Sequence, residues 1–574
     1  MKKEEVSDIL EEIGFLLEFK GENPFKVRAY YNAARAIKGL EGGLEEAVQQ
    51  GELRQIKGIG EALNKKISEL VTTGRLPYFE ELKESVPAGL REMVRIPHLG
   101  PKKVKALYEK LGISTVGELE YACQENRLKD LSGFGAKTQE NILEGIEVLK
   151  RYRGRFLYGD VAVLAEEFTH SVEGVKGVLK VSLAGSMRRK NEIVKDMDLV
   201  VAVQKGKAIN EGILSLPEIE EVLAQGETEI RVRLASGIPA DIRLVSLKEF
   251  PFALHHLTGS KEHNIALRGR AKKMGMKINE YGLFAGERPI LCQGEADIYR
   301  ALGLPFIPPE LREGRGEIEA AAGGKLPELI NAEEIRGTCH VHTAYSDGSH
   351  TIVELSQEAQ RLGLSYLGIA DHSRSAPYAR GLSEDAIKRQ LEEIERINRG
   401  LKGPRIFKGI EVDILSDGSL DYDDEVLSSF DFVIGAIHSH FHLREEEMTR
   451  RIIHAMENPR LTMLAHPTGR LLLAREPYQV DVKEVIDAAS RLGVVLELNA
   501  NPHRLDLDWR WLQYAKERGT RISINADAHN LHGLKDLFIG VGIARKGWLD
   551  ARDVINTREA EEVARLFGAA RARR

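Results

Sequence analysis

Cysteine is scarce in this sequence: its 574 residues hold three, Cys123, Cys292 and Cys339, far apart and never as a CxxC pair. That excludes a disulfide framework or a CxxC metal site and fits a reducing, cytoplasmic setting. No apolar run approaches the roughly 20 residues that cross a bilayer, so no membrane partner is expected. No secretory leader is expected either. The opening MKKEEVSDILEEIGFLLEF carries acids where a leader is apolar, and it reads as an amphipathic helix. Nor is there a surplus of positive charge. A net charge of −6 argues against a chain that coats nucleic acid by bulk electrostatics alone.

What is present is length, repetition and skew. A chain this long exceeds one hydrophobic core, so several domains are expected. Residues 1–320 carry 48 basic against 49 acidic side chains and the remaining 254 carry 34 against 39, while 12 of the 17 histidines follow residue 330. Acid with histidine suggests metal ligands in the C-terminal part. Near the N-terminus a short motif recurs: IKGIG ending at Gly60, IPHLG ending at Gly100 and LSGFG ending at Gly135, each followed by a helical, lysine-containing stretch. Glycine permits the tight turn, and the next helix starts with unpaired N–H groups facing outward, a clamp for a phosphate backbone. Gly58, Gly60, Gly100, Gly133 and Gly135, with Lys102 and Lys103, are therefore candidate DNA contacts. From about residue 155 apolar strand patterns take over. The stretch 306–330, rich in Pro, Gly and charge, reads as the main linker.

Asp196 and Asp198 stand two apart on an expected strand and so share a face, with Met197 and Leu199 buried on the other. Asp241 opens the strand ADIRLV; if that strand lies alongside, three carboxylates converge. Such a cluster is costly unless cations sit in it, and two Mg²⁺ ions suit it. Upstream, Gly185 and Ser186 begin a turn carrying Arg188 and Arg189, a mix of amides, hydroxyl and guanidinium groups that suits a triphosphate. Together these make a nucleotidyltransferase pattern.

GSMRRKNEIVKDMDLVV, ADIRLV and LTGSKEHNIALRGRAKKMGMKINEYGLF together resemble family X DNA polymerases, across residues 1–310. The resemblance implies Asp196, Asp198 and Asp241 as catalytic metal-binding acids, and Gly185, Ser186 and Arg188 at the triphosphate. It places His256, Thr258, Gly259, Ser260, Asn264 and Arg268 around the nucleotide and template. The family often has Tyr-Phe before Thr-Gly-Ser, bulk that excludes a ribose 2′-hydroxyl; here His256 and Leu257 stand there. NPFKVRAYYNAARAI and GIGEALNKKISEL resemble the family's 5′-deoxyribose-phosphate lyase domain, with Lys66 at the Schiff-base position and Lys65 adjacent to depress its pKa. Ala62 and Phe25 depart from that pattern, replacing a lysine and a histidine.

Beyond the linker, seven strand-like segments end in potential ligands and alternate with helical segments, which indicates a barrel with its site at the strands' carboxyl ends. The candidates are His340, His342, Asp347, His372, Glu411, His438, His466, Asp527 and His529. Imidazole with carboxylate is a ligand mix for Zn²⁺, Mn²⁺ or Fe²⁺. This half resembles the PHP (polymerase and histidinol phosphatase) superfamily, a distorted (β/α)₇ barrel with three metal ions. The resemblance implies one ion on His340, His342, Glu411 and Asp527, a second sharing Glu411 with His438 and His466, and a third on Asp347, His372 and His529. His440 and His442 are read as surface or substrate contacts, and Arg470 and Arg475 as phosphate receivers.

The expected fold is multidomain α and α/β. A helix-hairpin-helix lyase-like domain spans 1–84, fingers 85–154, a nucleotidyltransferase palm 155–247 and a small α/β thumb 248–312. A linker at 313–332 then leads to the PHP barrel, 333–574. The expected activity is template-directed gap filling with Mg²⁺, on gapped or nicked DNA and dNTPs, by a monomer. A Mn²⁺- or Zn²⁺-dependent 3′-end phosphoesterase accompanies it. A template-independent transferase and a barrel without catalysis are the alternatives.

Overall fold

The computed structural model describes residues 3–572 apart from 39, 41–43, 57–58, 95, 97–98, 130, 152–153, 205–207, 377–378 and 401–402. Gly58 of the first hairpin lies outside the described residues. The chain forms two compact units, Met1–Gln124 with Leu128–Leu149, and Glu125–Arg127 with Lys150–Arg574.

The first unit is helical. Its helices include Lys3–Phe19, Pro24–Lys38, Glu61–Thr73, Pro77–Glu84 and Pro101–Leu111. Pro101 sits in the first turn of its helix and Gly112, at φ 67°, ends it in the left-handed region. This is the usual division of labour between the two residues. One apolar core runs from Val6 to Ile146. The boundary expected at 84/85 therefore falls inside a shared core, because short helices bury little unless they pool their apolar stripes.

The second unit begins with a five-stranded sheet of β1 (Val178–Leu183), β2 (Met197–Val203), β3 (Ile219–Gln225), β4 (Glu229–Leu234) and β5 (Pro239–Val245), in the order β1-β2-β5-β4-β3. Only β2 and β5 run parallel. The thumb follows, with helices Phe250–Thr258 and Lys261–Lys273 and an antiparallel sheet of β6 (Met276–Asn279), β7 (Gly282–Ala285) and β8 (Arg288–Ile290).

The stretch expected as a linker is folded. Helix Glu317–Ala322 lies there, Ile318 and Ala321 join the thumb core, and buried Glu317 meets His263 Nδ1 at 2.7 Å. Its charges are partners for buried groups, a use that composition does not distinguish from solvation.

Seven parallel strands then follow in chain order: β9 (Gly337–Val341), β10 (Tyr366–Ile369), β11 (Arg405–Asp413), β12 (Phe432–Ala436), β13 (Met463–Leu464), β14 (Val495–Asn499) and β15 (Ile522–Asn525). Val341 bridges to Ala528, just beyond β15, and brings the last strand back to the first. Helices between them carry the expected caps: Thr351 accepts from Glu354 N, and the Glu354 carboxylate accepts from Thr351 N at 2.8 Å. Cys339 and Val341, two apart on β9, pack into different apolar clusters, and the pairing with β10 shifts register between Thr338 and Val341. The barrel half does not stand apart within its unit. Trp548 packs into the thumb core and Ile539 against the palm core. Among the described residues, no helix is long and apolar enough to cross a membrane.

Candidate active sites

In the palm, β2 and β5 pair with Asp198 directly opposite Asp241. Their neighbours Met197, Leu199, Ala240 and Ile242 are buried, so period-two alternation turns both carboxylates to the other face. Asp196 lies immediately before β2. Burial, then Asp196 and Asp241, push the Asp198 carboxyl up to about 7 against the opposing charges of Arg189 and Arg231. Burial also raises Asp241, although Arg231 Nε stands 3.2 Å from its Oδ1. Gly185 has φ +57°, and a methyl there would meet Asp198 Oδ2 at 1.8 Å. Only glycine lets this turn lie against the carboxylate.

The two arginines of that turn diverge. Arg188 donates to Thr258 Oγ1 at 2.7 Å and pairs with Glu295 at 2.5 Å. Arg189 pairs with Glu313 at 2.9 Å, donates to the Thr258 carbonyl at 2.5 Å, and is the one whose charge opposes the rise of Asp198. Thr258 and Ser260 are buried, and Ser260 Oγ accepts from His263 N to cap the helix Lys261–Lys273. Asn264 Nδ2 donates to the His256 carbonyl at 2.8 Å, and Arg268 meets His256 Nδ1 at 3.1 Å. The sequence candidates of the thumb thus brace one another beside the turn.

At the barrel's carboxyl ends all nine candidate ligands come together. Glu411 is the hub: its oxygens lie 2.8 Å from His372, 3.2 Å from His466, 3.4 Å from His340, 3.5 Å from His438 and 3.7 Å from His342. Asp527 stands 3.2 Å from His342 and 3.5 Å from His340. Asp347 lies 3.4 Å from His372, 3.5 Å from His529 and 3.7 Å from His342. Donor atoms converge in groups of His342, Asp347, His372 and His529, of His340, His342 and Asp527, and of His372, Glu411 and His438. His342 thereby faces the Asp347 group as well as Asp527. His340 Nε2, His342 Nδ1, Asp347 Oδ2, Glu411 Oε2 and His529 Nε2 are buried and make no hydrogen bond. Buried donors aimed at one space, none satisfied by the protein, fit cations.

The imidazoles divide into two groups: against burial, Glu497 and Asp527 raise His340, Asp347 and Glu411 raise His372, and Asp347 raises His529 to about 9, whereas His342 and His466 go the other way. Burial, then His529 and His372, lower the His342 imidazole to about 4; burial, then Arg504, lower His466 likewise to about 4. Neutral imidazoles present the lone pairs that metals take. Burial disfavours ionised Glu411, yet His372, His340 and His438 hold it well below the usual carboxylate range.

Family models match most of the chain. A helix-hairpin-helix domain covers residues 1–76, a SAM-like helix-hairpin-helix tandem 90–147, the DNA polymerase beta thumb 253–313 and the PHP domain 338–529. A DNA polymerase/3′-5′ exonuclease PolX of Bacillus subtilis is 38% identical over 567 residues, 98% of this chain and 99% of that protein. The chain belongs to the PolX family. Two further relatives match in part. A probable phosphatase of Syntrophotalea carbinolica is 33% identical over 28% of this chain and 63% of its own, and a DNA polymerase lambda of Rattus norvegicus is 24% identical over 49% and 52%. PolX membership and the PHP domain imply divalent-metal chemistry, and the donor groups above suit it.

Several residues of this PolX chain were invisible to motif reading. Glu497, mid-strand on β14, meets His340 Nδ1 at 2.7 Å and accepts from His466 N at 2.8 Å, while Asp413 meets His438 Nδ1 at 2.6 Å. Such outer partners fix ring orientation. An acid inside an otherwise apolar strand, as in VVLELNAN, was the available signal for Glu497. Arg470 is not a phosphate receiver: it is buried and bonds Arg504 O, Asp508 and Glu192, which braces barrel to palm. Arg475 bonds the Gly469 carbonyl and covers the Phe441 ring. His440 and His442 are exposed.

In the first unit Lys66 Nζ donates to Tyr30 OH at 2.6 Å and sits 3.3 Å from the Tyr78 ring centre. Burial, then Lys26, lower its pKa. The cation whose charge lowers it is Lys26, from the helix Pro24–Lys38, while Lys65 is exposed. Gly60, Gly100 and Gly135 have nothing within 4 Å of where a methyl would stand, and Gly60 and Gly100 have extended φ of −79° and −77°. The fold itself does not demand glycine at those positions.

Proposed function

We propose that this chain is a template-directed DNA polymerase that fills short gaps in base-excision-type repair. Its barrel acts on 3′ ends as a metal-dependent 3′–5′ exonuclease and phosphoesterase, including apurinic-site cleavage. The observation that carries the polymerase reading is the in-register pairing of Asp198 with Asp241, with the Gly185 turn against Asp198. Asp196, Asp198 and Asp241 would hold two Mg²⁺ ions, which when bound would supply charge neutralisation to the transfer of a nucleotidyl group.

The protein's own part is positioning. Gly185 and Ser186 take the triphosphate, and Arg189 joins them in place of the expected Arg188, which is turned to Glu295 and holds the turn from behind. His256, Thr258, Gly259, Ser260, Asn264 and Arg268 set the wall beside the nascent base pair and template. With histidine in place of a bulkier tyrosine, that wall discriminates weakly against ribonucleotides. Gly60, Gly100, Gly133 and Gly135, with Lys102 and Lys103, admit the DNA backbone; open space above all four glycines supports close approach. Lys66, desolvated and beside Lys26, serves as the lyase nucleophile.

In the barrel, His340, His342, Asp347, His372, Glu411, His438, His466, Asp527 and His529 would hold three ions, Mn²⁺ or Zn²⁺, and such ions would supply Lewis-acid chemistry toward a phosphodiester. The chain works as a cytoplasmic monomer on gapped or nicked DNA and dNTPs. Gapped DNA with dNTPs and Mg²⁺ is expected to be extended by the wild type and not by Asp198→Ala. Equal extension by both, or by neither, overturns the polymerase reading.

A further inference from the structure

The Gly185–Asn191 turn is bounded by empty space on two sides. A cavity of about 340 Å³ touches Met187, Arg188 and Lys190, and another of about 270 Å³ touches Asn191 and Glu192. Close packing alone therefore does not hold it. What ties it down comes from the barrel. Lys546, last residue of the helix Leu537–Lys546, is 1% exposed, and its ammonium donates to Arg189 O at 2.9 Å, to Asn191 Oδ1 at 2.9 Å and to Glu313. An ammonium has three N–H donors, and here each has an acceptor. Trp509 covers it, with the charge 4.6 Å from the ring centre. The same Glu313 oxygen accepts from Arg189 Nε at 2.9 Å. Lys546 thus grips Arg189 twice, at its carbonyl and through the carboxylate that orients its guanidinium. Gly542, one turn earlier, lies 3.5 Å from the Lys190 side chain at the position a methyl would take, so the helix runs directly beneath the turn.

We infer that Lys546 is a positioning residue for the polymerase site: a side chain of the barrel half that sets the orientation of Arg189 and thereby the affinity for the incoming nucleoside triphosphate. This rests on the reading of the Gly185–Arg189 turn as the triphosphate site. Without the ammonium, the Arg189 carbonyl and Glu313 lose their common partner, and the guanidinium is free to follow Glu313 away from the carboxylates. The lost contact lies on bound nucleotide and not on the reacting atoms, so affinity suffers before rate. A lysine that merely glued two domains would lower stability and both activities together.

The test is single-turnover gap filling by full-length protein, read as dNTP affinity and maximal rate, beside 3′-end degradation with Mn²⁺ and the melting temperature. Lys546→Met is expected to weaken dNTP affinity on the order of tenfold, a coupling typical of groups in one network. The maximal rate should stay within about threefold, with degradation unchanged. Glu313→Gln, which keeps an acceptor for the ammonium but removes the negative charge it shares with Arg189, should weaken dNTP affinity in the same direction and serves if Lys546→Met folds poorly. Adding Lys546→Met to Arg189→Ala should change little beyond Arg189→Ala alone. If Arg189→Ala weakens nucleotide binding while Lys546→Met and Glu313→Gln leave it intact, or lower both activities in step with stability, the inference is overturned. If Arg189→Ala itself leaves dNTP affinity unchanged, the reading of the turn fails instead.

Discussion

The palm and the barrel both crowd acids together, but they balance the charge in opposite ways. In the palm, Asp198 and Asp241 face one another across β2 and β5 with Asp196 just before β2, and Asp198 is pushed up to about 7 against Arg189 and Arg231. In the barrel, imidazoles alternate with carboxylates, five of them within 3.7 Å of Glu411, and nearly all are buried. The palm is a strained anion cluster relieved when cations arrive with nucleotide. The barrel is balanced and preorganised, with its outer partners Glu497 and Asp413 already in place. Exchangeable ions in one and resident ions in the other are what that contrast leads us to expect.

The sharpest way to break the comparison is reciprocal substitution. Asp198→Ala is expected to lower gap filling by on the order of a thousandfold while leaving Mn²⁺-dependent 3′-end degradation intact, and Glu411→Ala or His342→Ala the reverse. Loss of both activities in any one of these variants, with the fold retained, removes the case for two independent sites. A smaller effect belongs to the second layer. Glu497→Gln, which keeps shape but loses the charge on His340 and His466 N, should cost degradation about 10- to 100-fold through metal affinity, with polymerisation untouched. Full activity restored by millimolar Mn²⁺ separates lost affinity from lost chemistry.

Chelation sharpens the difference in another way. An ion bound at a hundred times its dissociation constant stabilises the folded state by about 2.7 kcal/mol. Stripping resident ions from the barrel is thus expected to lower its melting transition by several degrees, about 2–4 °C for each kcal/mol lost. The palm, where burial raises Asp198 and Asp241, should yield no such shift. Calorimetry of wild type and Glu411→Ala with and without chelator checks this, because the variant should already lack most of the response.

Much of both sites was legible in the sequence, and the reason is local. Asp196 and Asp198 with the Gly185–Ser186 turn, and His340 with His342, are short-range patterns on strands whose alternation declares a face. The partnership of Asp198 with Asp241 needed only that two apolar strands lie side by side. Which of Arg188 and Arg189 faces the acids was not legible, since a single turn of helix sends adjacent side chains in directions about 100° apart and only tertiary contacts with Glu295 and Glu313 decide. Arg470 looked like a phosphate receiver because an arginine near a histidine cluster looks the same whether it greets substrate or braces a domain. The 313–332 stretch misled for a similar cause. Glu317 is a charge that composition assigns to solvent, and the fold spends it on buried His263.

The smallest expected effect tests the strain itself. An unfolded aspartate titrates near 3.9, whereas burial and the two neighbouring acids carry folded Asp198 to about 7. Below about pH 4 the group is protonated in both states and costs nothing. Between about 4 and 7 the folded state holds a proton that the unfolded state has released, so stability falls as pH rises, and above about 7 the full penalty is in force. In chelator, Asp198→Asn is therefore expected to raise the melting temperature relative to wild type by about 1–3 °C at pH 8 and by nothing measurable at pH 4.5, the site being only partly shielded from solvent. Added Mg²⁺ with dNTP and gapped DNA should erase or invert the gain, because the ions stabilise the ionised aspartate that asparagine cannot replace. A gain of equal size at both pH values assigns it to packing, and the contrast between a strained palm and a balanced barrel then loses its electrostatic basis.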